Sequence, residues 1–213
     1  MKKNILKSIL FLVFIFSPIL LYAQKKQLAT ARESLKTGKE LVKAEKSMQN
    51  LLEDSVNRTN TKIWVMLCDI LMKQYEQGNE KLYLKQQYDT AAFFSVTKRM
   101  YETMAKFDSI DAHLNMPSPV LPKYRERHAQ FLNSIRPNLF NGGTYFLHVK
   151  DYKTAYDYFD NYIKTDKQSL FIGYDYEHKD DLMPHAAYWA MYCGYKLGDT
   201  EKTMRYLNLA ERD

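Results

Sequence analysis

Two apolar stripes at helical spacing, on either side of the polar pair Lys150-Asp151, constrain the fold of this chain more than any other feature. Each stripe places four residues at i, i+4, i+7 and i+8, which is one face of an α-helix. They are Leu139, Gly143, Phe146 and Leu147, then Ala155, Phe159, Tyr162 and Ile163. Pro137 suits the first turn of a helix, and it disfavours helical backbone at Arg136. The stretch from Arg136 to Thr165 therefore predicts two antiparallel helices joined by a tight turn.

The glycine pair Gly142-Gly143 lies inside the first of these predicted helices. Each glycine there costs the helix about 1 kcal/mol relative to alanine. Glycine has no side chain to hold a neighbouring helix away, so we expect the neighbouring helix to come unusually close at this pair.

The segment resembles a tetratricopeptide repeat (TPR), a helix–turn–helix unit of about 34 residues with small and aromatic residues at fixed positions. The matching positions are Gly143, Phe146, Asp151-Tyr152, Ala155 and Phe159. Three positions depart from the family pattern, namely Leu139 where Trp is frequent, Tyr162 where Ala is usual, and Lys167 where a closing Pro would stand. A plain helical hairpin without repeat ancestry stays open as an alternative.

The rest of the chain also reads as helical, because Pro and Gly are scarce and no alternating strand pattern is convincing. A last hairpin is predicted around the turn Leu197-Gly198-Asp199, and Gly78 is predicted to stop or kink a helix. Asp166–Pro184 reads as a long, charged, solvated connection. We predict an all-α fold, and the resemblance implies stacked antiparallel hairpins, a degenerate TPR-like α-solenoid. The predicted parts are degenerate helical repeats over 24–115, a proline-rich break over 116–122 and TPR-like hairpins over 123–213.

Residues 1–23 have the layout of a secretory signal peptide: three lysines, an apolar run, and Leu21-Tyr22-Ala23 before Gln24. We predict cleavage after Ala23 and a periplasmic or otherwise exported protein. The apolar run is short for a membrane span of about 20 residues, so the mature chain should have none, although an uncleaved anchor is the alternative. Without the three lysines the formal charge falls from +6 to +3. That charge is spread among acidic residues, which argues against nucleic-acid binding.

No motif in the sequence predicts catalysis. The five histidines form no zinc-binding pair, and no nucleophile elbow, phosphate loop or dinucleotide fingerprint occurs. Glu177, His178, Asp180 and Asp181 carry ligand-type atoms, but a solvated charged loop is the commoner arrangement, so we expect no metal and no cofactor. Cys68 and Cys193 fit either a disulfide or two buried thiols. An enzyme would require residues that are scattered along the sequence.

The resemblance places a set of first-helix residues on a concave binding surface. In the first hairpin they are Phe140, Thr144, Leu147 and His148, and in the last hairpin His185, Tyr188, Tyr192, Tyr195 and Lys196. A tyrosine buries its ring and still forms hydrogen bonds, which suits peptide or glycan contact. The resemblance thus implies a non-enzymatic scaffold of the bacterial envelope that binds a protein or peptide segment, with a carbohydrate-binding accessory protein as the alternative.

The last stretch, Thr200–Asp213, carries apolar residues around much of a helix circumference. One neighbouring helix cannot bury all of them, and an exposed apolar strip marks an interaction site or an aggregation liability. We therefore expect this stretch to be incompletely buried. It would meet a partner, support self-association, or continue into a longer chain.

Overall fold

The computed structural model describes residues 23–114 and 122–212, and they form helices without a single strand, which confirms the all-α prediction. The helices are α1 (residues 23–37), α2 (Leu41–Glu53), α3 (Thr61–Tyr83), α4 (Thr90–Leu114), α5 (Arg125–Ile135), α6 (Pro137–His148), α7 (Tyr152–Lys164), α8 (Tyr176–Lys179), α9 (Leu182–Lys196), α10 (Thr200–Met204) and α11 (Leu207–Ala210). Two 3₁₀ turns, η1 (Thr165–Lys167) and η2 (Ser169–Phe171), follow α7. The chain divides into two compact units at the Gln74–Tyr75 boundary, inside α3.

In the first unit, α1 and α2 are joined by a tight turn at Gly38, whose φ of 68° suits glycine. Apolar side chains of α1, α2 and the first part of α3 form its core: Ala31, Leu41, Ala44, Met48, Ile63, Leu67, Ile70 and Leu71. Glu45 is buried with them, and the side-chain amide of Gln74 donates to its Oε2 at 2.8 Å. A buried carboxylate is tolerated because it accepts such bonds.

In the second unit, α7 packs between α6 and α9, and α10 and α11 pack on α9. Helix α4 packs on α6, while η2 lies against α4 and α5. The hairpin predicted around Lys150-Asp151 is confirmed: α6 ends at His148, and the Asp151 side chain accepts from the backbone N–H of Thr154 as the N-cap of α7. The predicted turn at Leu197-Gly198-Asp199 is confirmed as well, and Asp199 caps α10 through Lys202 N–H.

The glycine pair in α6 does bring its neighbours close. A Cβ at Gly142 would lie 2.6 Å from Cε1 of Tyr158, and one at Gly143 would lie 2.6 Å from Cε1 of Phe159. Both rings belong to α7 and are almost fully buried. The rings of α7 thus occupy the space that side chains on α6 would otherwise need.

Arg136 departs from expectation, because its backbone is helical (φ −55°, ψ −38°) although Pro137 follows it. The boundary between α5 and α6 falls at Arg136 as predicted, but the backbone of Arg136 keeps helical dihedral angles. The buried guanidinium donates to the Asp180 carboxylate, to Thr165 Oγ1 at 3.0 Å and to the Tyr162 carbonyl at 3.2 Å. These tertiary bonds outweigh a local steric preference.

The connection from Asp166 to Pro184 is ordered rather than a solvated loop, which corrects the sequence interpretation. It contains η2 and α8, and it buries Leu170, Phe171 and Tyr176. Pro184 lies within the first turn of α9. The rings of Tyr162 and Tyr176 lie 3.7 and 3.8 Å from the guanidinium carbon of Arg136, so a cation between two rings holds the connection in place.

A further difference concerns helix length, because α3 runs through Gly78 to Tyr83 without stopping. The predicted signal segment (except Ala23) and the proline-rich break (except Pro122) lie outside the described residues.

Candidate functional site

Helix α9 has two faces of opposite character. Its buried side carries small residues and one methionine: Met183, Ala186, Ala187, Ala190, Cys193 and Gly194. Its outer side carries the aromatic residues Tyr188, Trp189, Tyr192 and Tyr195, all within about a third of the helix circumference at 100° per residue. Small residues are commonly buried, whereas rings left accessible along one helix face form an exposed apolar surface, which is less common.

Close helix contact explains the small face. A Cβ at Gly194 would lie 2.6 Å from the backbone nitrogen of Thr203 in α10. The three alanines are completely buried, and α9 packs against α7, α10 and α11. Small residues therefore form the buried side of α9, and its rings lie on the opposite side.

We use the name α9 aromatic face for a surface made of five side chains: Tyr188, Trp189, Tyr192, Tyr195 and Lys196. Tyr188 and Tyr195 are 52% and 69% exposed, which is unusual for rings of this size. Edge-to-face contacts run from Tyr188 to Trp189 at 5.1 Å and from Trp189 to Tyr192 at 5.8 Å between ring centroids. These contacts preorganise the rings of Tyr188, Trp189 and Tyr192 as one surface.

A cation completes this face. Lys196 Nζ lies 5.2 Å from the ring centroid of Tyr192 and 5.9 Å from that of Tyr195. Its charge stays exposed while it is attracted to the electron-rich ring faces. The last turn of α9 therefore offers two tyrosine rings and an ammonium group together.

Of the residues predicted for the last hairpin, Tyr188, Tyr192, Tyr195 and Lys196 lie on one face of α9, where Tyr192 is half-buried and the other three are exposed. His185 is exposed one turn earlier on α9, with Nδ1 3.3 Å from the carbonyl of Asp181.

The residues predicted on α6 are placed differently. The half-buried ring of Phe140 meets Phe159 at 5.5 Å and Tyr162 at 5.9 Å, so it serves mainly the packing of α6 on α7. Thr144 donates its hydroxyl to the Phe140 carbonyl at 3.2 Å, and Leu147 is partly buried. His148 is exposed at the end of α6. Of these four residues, only His148 is exposed, and the other three are half-buried.

Sequence reasoning missed Trp189 and Tyr152. Tyr152 begins α7, and its ring contacts Tyr192 at 6.2 Å, which ties the α9 aromatic face to α7. A signal for Trp189 was present, because residues 185, 189, 192 and 196 follow the i, i+4, i+7, i+11 spacing of one helical stripe. Tyr152 carried no comparable signal, since its contact joins residues that are far apart in the sequence.

In residues 23–114 and 122–212, no group of three His, Cys, Asp or Glu side chains could hold a metal ion. Cys68 and Cys193 are two buried thiols and are not joined in a disulfide. Burial raises the pKa of Cys193 to about 12, so its thiol stays protonated at neutral pH. No helix in the described part of the chain is long and apolar enough to cross a membrane.

No family model, no curated protein and no solved structure matches this chain.

Proposed function

We propose that this protein is a non-enzymatic interaction module that binds a peptide segment of another protein on the α9 aromatic face. The observation that carries the proposal is the exposure of Tyr188 and Tyr195 on the face of α9 opposite its buried small residues. Tyr and Trp are the residues that most often dominate the energy of protein interfaces. The rings of Tyr188, Trp189 and Tyr192 already contact one another, so they lose little conformational freedom on binding.

The charge at this face favours a peptide over a sugar. Lys196 places an ammonium group beside two tyrosine rings, which suits a chain with backbone carbonyls or a carboxylate next to an apolar side chain. Sugar-binding sites more often flank their rings with Asp and Asn side chains that accept hydrogen bonds from hydroxyls. A carbohydrate-binding accessory protein is the second candidate, and the flat, exposed rings of Tyr188 and Tyr195 are the observation in its favour.

A TPR-like stack is the architecture we propose for this module. Helices α6, α7, α9 and α10 pack in chain order, each on the next. Both hairpin turns use a residue with positive φ, Lys150 or Gly198, followed by an aspartate N-cap. Stacks of this kind present extended surfaces for partner segments.

We further propose that the protein is exported to the bacterial envelope after cleavage behind Ala23. The support is the order of lysines, apolar run and small residue in the sequence. N-terminal sequencing of the protein from an envelope fraction should start at Gln24. An intact Met1 would contradict the proposal.

The binding proposal is tested by affinity purification from the native envelope followed by mass spectrometry, with parallel glycan-array binding. Tyr188→Ala and Tyr195→Ala should each weaken capture of the partner about tenfold, in the range of an aromatic interface anchor. Tyr83→Ala is the matched control, because Tyr83 is 84% exposed at the end of α3, outside this face. Glycan binding without reproducible protein capture would favour the second candidate, and equal effects of all three substitutions would contradict both.

A further inference from the structure

Three exposed lysines border the α9 aromatic face where the end of α9 meets the start of α7. Lys196 ends α9, and its Nζ lies 5.2 Å from the ring centroid of Tyr192. Tyr152 stands between Lys150 and Lys153 in the sequence. Its ring meets that of Tyr192 at a centroid distance of 6.2 Å, which joins the two groups of lysines. We use the name basic edge for Lys150, Lys153 and Lys196.

The lysines of the basic edge differ from most cations of the C-terminal helices. Among the residues that the structure describes, no carboxylate lies within ion-pair distance of any of the three. Other cations of these helices are each held by a carboxylate of the chain: Lys164, Lys167, Lys202, Arg205 and Arg212. The ammonium groups of the basic edge are therefore available to an anion that a partner supplies.

Few acids oppose this charge. Helix α9 itself contains neither Asp nor Glu, and Asp199, which follows it, is already paired with Lys202. Asp151 stands among the lysines in the sequence, where it caps α7 by accepting from Thr154 N–H at 3.1 Å. One carboxylate against three ammonium groups leaves two positive charges in excess. Complementary charge on a partner would be attracted to this edge and would fix its register.

The placement of the charges indicates the kind of anion. Lys196 lies on one side of the ring pair Tyr152–Tyr192, and the other two lysines belong to the start of α7. A matching partner places an apolar side chain between two acidic groups. An extended peptide does so, because alternate side chains lie on one side of the chain about 7 Å apart. A lipid head group carries its anion at one end only.

We propose that the partner of the α9 aromatic face is an acidic peptide segment in which Asp or Glu alternates with apolar residues. This inference rests on the proposed function and adds the chemistry of the partner. An apolar side chain packs on Tyr192, while one carboxylate pairs with Lys196 and another with Lys153. Buried rings supply most of the affinity, and the exposed ion pairs, at about 0.2–1 kcal/mol each, select the acidic sequence.

Selection from a random peptide library tests this chemistry with the full, unaltered chain. The peptides are displayed between constant flanks, so no chain end is free. Selected peptides should be enriched about twofold or more in Asp and Glu, and Tyr195→Ala should weaken their binding about tenfold. Peptides that depend on Tyr195 without any excess of acids would leave the proposed function standing and overturn the acidic partner. If no selected peptide depended on Tyr195, both would be overturned.

A matched pair of synthetic peptides measures the charge directly. One selected peptide, with blocked ends, is compared with a copy that carries Asn and Gln in place of Asp and Glu. The acidic peptide should bind about tenfold more tightly at about 0.1 M salt, the combined effect of two or three exposed ion pairs. This advantage should shrink at about 1 M salt, where the Debye length falls from about 10 Å to about 3 Å. Equal binding of the pair, or full competition by phosphatidylglycerol vesicles, would overturn the proposal.

Three substitutions locate the acidic peptide. Lys196→Gln and Lys153→Gln should each weaken its binding about two- to fivefold, the effect of one exposed ion pair, and leave the neutral copy unaffected. Lys123→Gln is the matched control, because Lys123 is also exposed and lies 5.4 Å from a tyrosine ring, that of Tyr124, but stands just before α5. It should change neither peptide. Equal losses in all three variants would show that overall charge attracts the peptide, and the proposed contacts would be wrong.

Discussion

The ring of Phe159 occupies the space that a side chain at Gly143 would need, since a Cβ at Gly143 would lie 2.6 Å from Phe159 Cε1. Phe159 is completely buried, and its ring also packs against Phe140 at 5.5 Å. The ring therefore cannot move aside without disturbing the layer between α6 and α7. Closely packed interiors transmit such a change rather than absorb it.

We expect Gly143→Ala to destabilise the protein by about 1–2 kcal/mol, because overpacking outweighs the helix propensity that alanine adds. Gly78→Ala is the control, since a Cβ there would meet the half-buried ring of Tyr88, which can swing away. That substitution should be neutral or stabilising by up to about 1 kcal/mol. Urea unfolding followed by far-UV circular dichroism measures both. A stabilising Gly143→Ala would show that the α6–α7 layer is loosely packed.

Arg136 supports a second prediction, because its guanidinium lies between the rings of Tyr162 and Tyr176 and pairs with Asp180. Arg136→Met should cost about 3 kcal/mol, since it leaves the Asp180 carboxylate without its cationic partner in a mostly buried site.

The double variant Arg136→Met/Asp180→Asn separates the charge from the packing. It should lose less stability than the single Arg136→Met, because the amide removes the unpaired charge and still accepts the hydrogen bond from Leu182 N–H. Urea unfolding measures the difference. With the single Asp180→Asn variant as the third measurement, strictly additive losses would show that the two residues do not interact energetically.

The helices and hairpin turns could be predicted from the sequence, because they depend on local patterns. Apolar spacing placed α6 and α7, and the aspartates that cap α7 and α10 stand directly after the residues with positive φ. The glycine pair indicated close helix approach before any contact was known. Each of these features depends on residues that lie within a few positions of it in the sequence.

The ordered connection between α7 and α9 could not be predicted, because its contacts join distant residues. Arg136 and Asp180 are separated by 44 positions, and Ser169 donates to the Asp108 carboxylate across 61. A charged, tyrosine-rich segment looks solvated unless its distant partners are known. The same limit applies to the α9 aromatic face, where the stripe was visible in the sequence but the contact with Tyr152 was not.

His128 makes stability depend on pH. Burial lowers its pKa from 6.5 to about 4, with a further lowering by Arg127 that Asp108 and Asp111 of α4 partly oppose. The folded protein therefore binds fewer protons than the unfolded chain between these two pH values. The contribution of neutral His128 is complete above pH 6.5, and it is lost as the pH falls towards 4, by up to about 3 kcal/mol.

Comparison with His128→Gln isolates this contribution. Glutamine does not titrate, so the variant should lose less stability than the unaltered protein between pH 6.5 and 4, whatever its absolute stability. Urea unfolding at intervals of half a pH unit measures the two slopes, and the carboxylates contribute to both alike. Parallel slopes would show that His128 does not titrate differently in the folded protein.

The last prediction concerns the C-terminal helices, whose incomplete burial the sequence already indicated. Neither α10 nor α11 buries a residue, and Met204 is 54% exposed. Local opening needs little free energy where few apolar contacts must break. Without added ligand, we expect the amides of α10 and α11 to exchange about a hundredfold faster than those of α9, which is buried along one side.

Asp160 of α7 forms polar contacts with the C-terminal segment. Its carboxylate accepts from Tyr206 and lies 2.6 Å from Lys164 Nζ and 3.6 Å from Arg205 Nη1. Asp160→Ala should therefore accelerate exchange in α10 and α11 several-fold further while it leaves the protection of α6 unchanged. Slow exchange throughout residues 200–212 in the unaltered protein would show that this end is well packed in the monomer, and an exposed apolar strip would then no longer support self-association there.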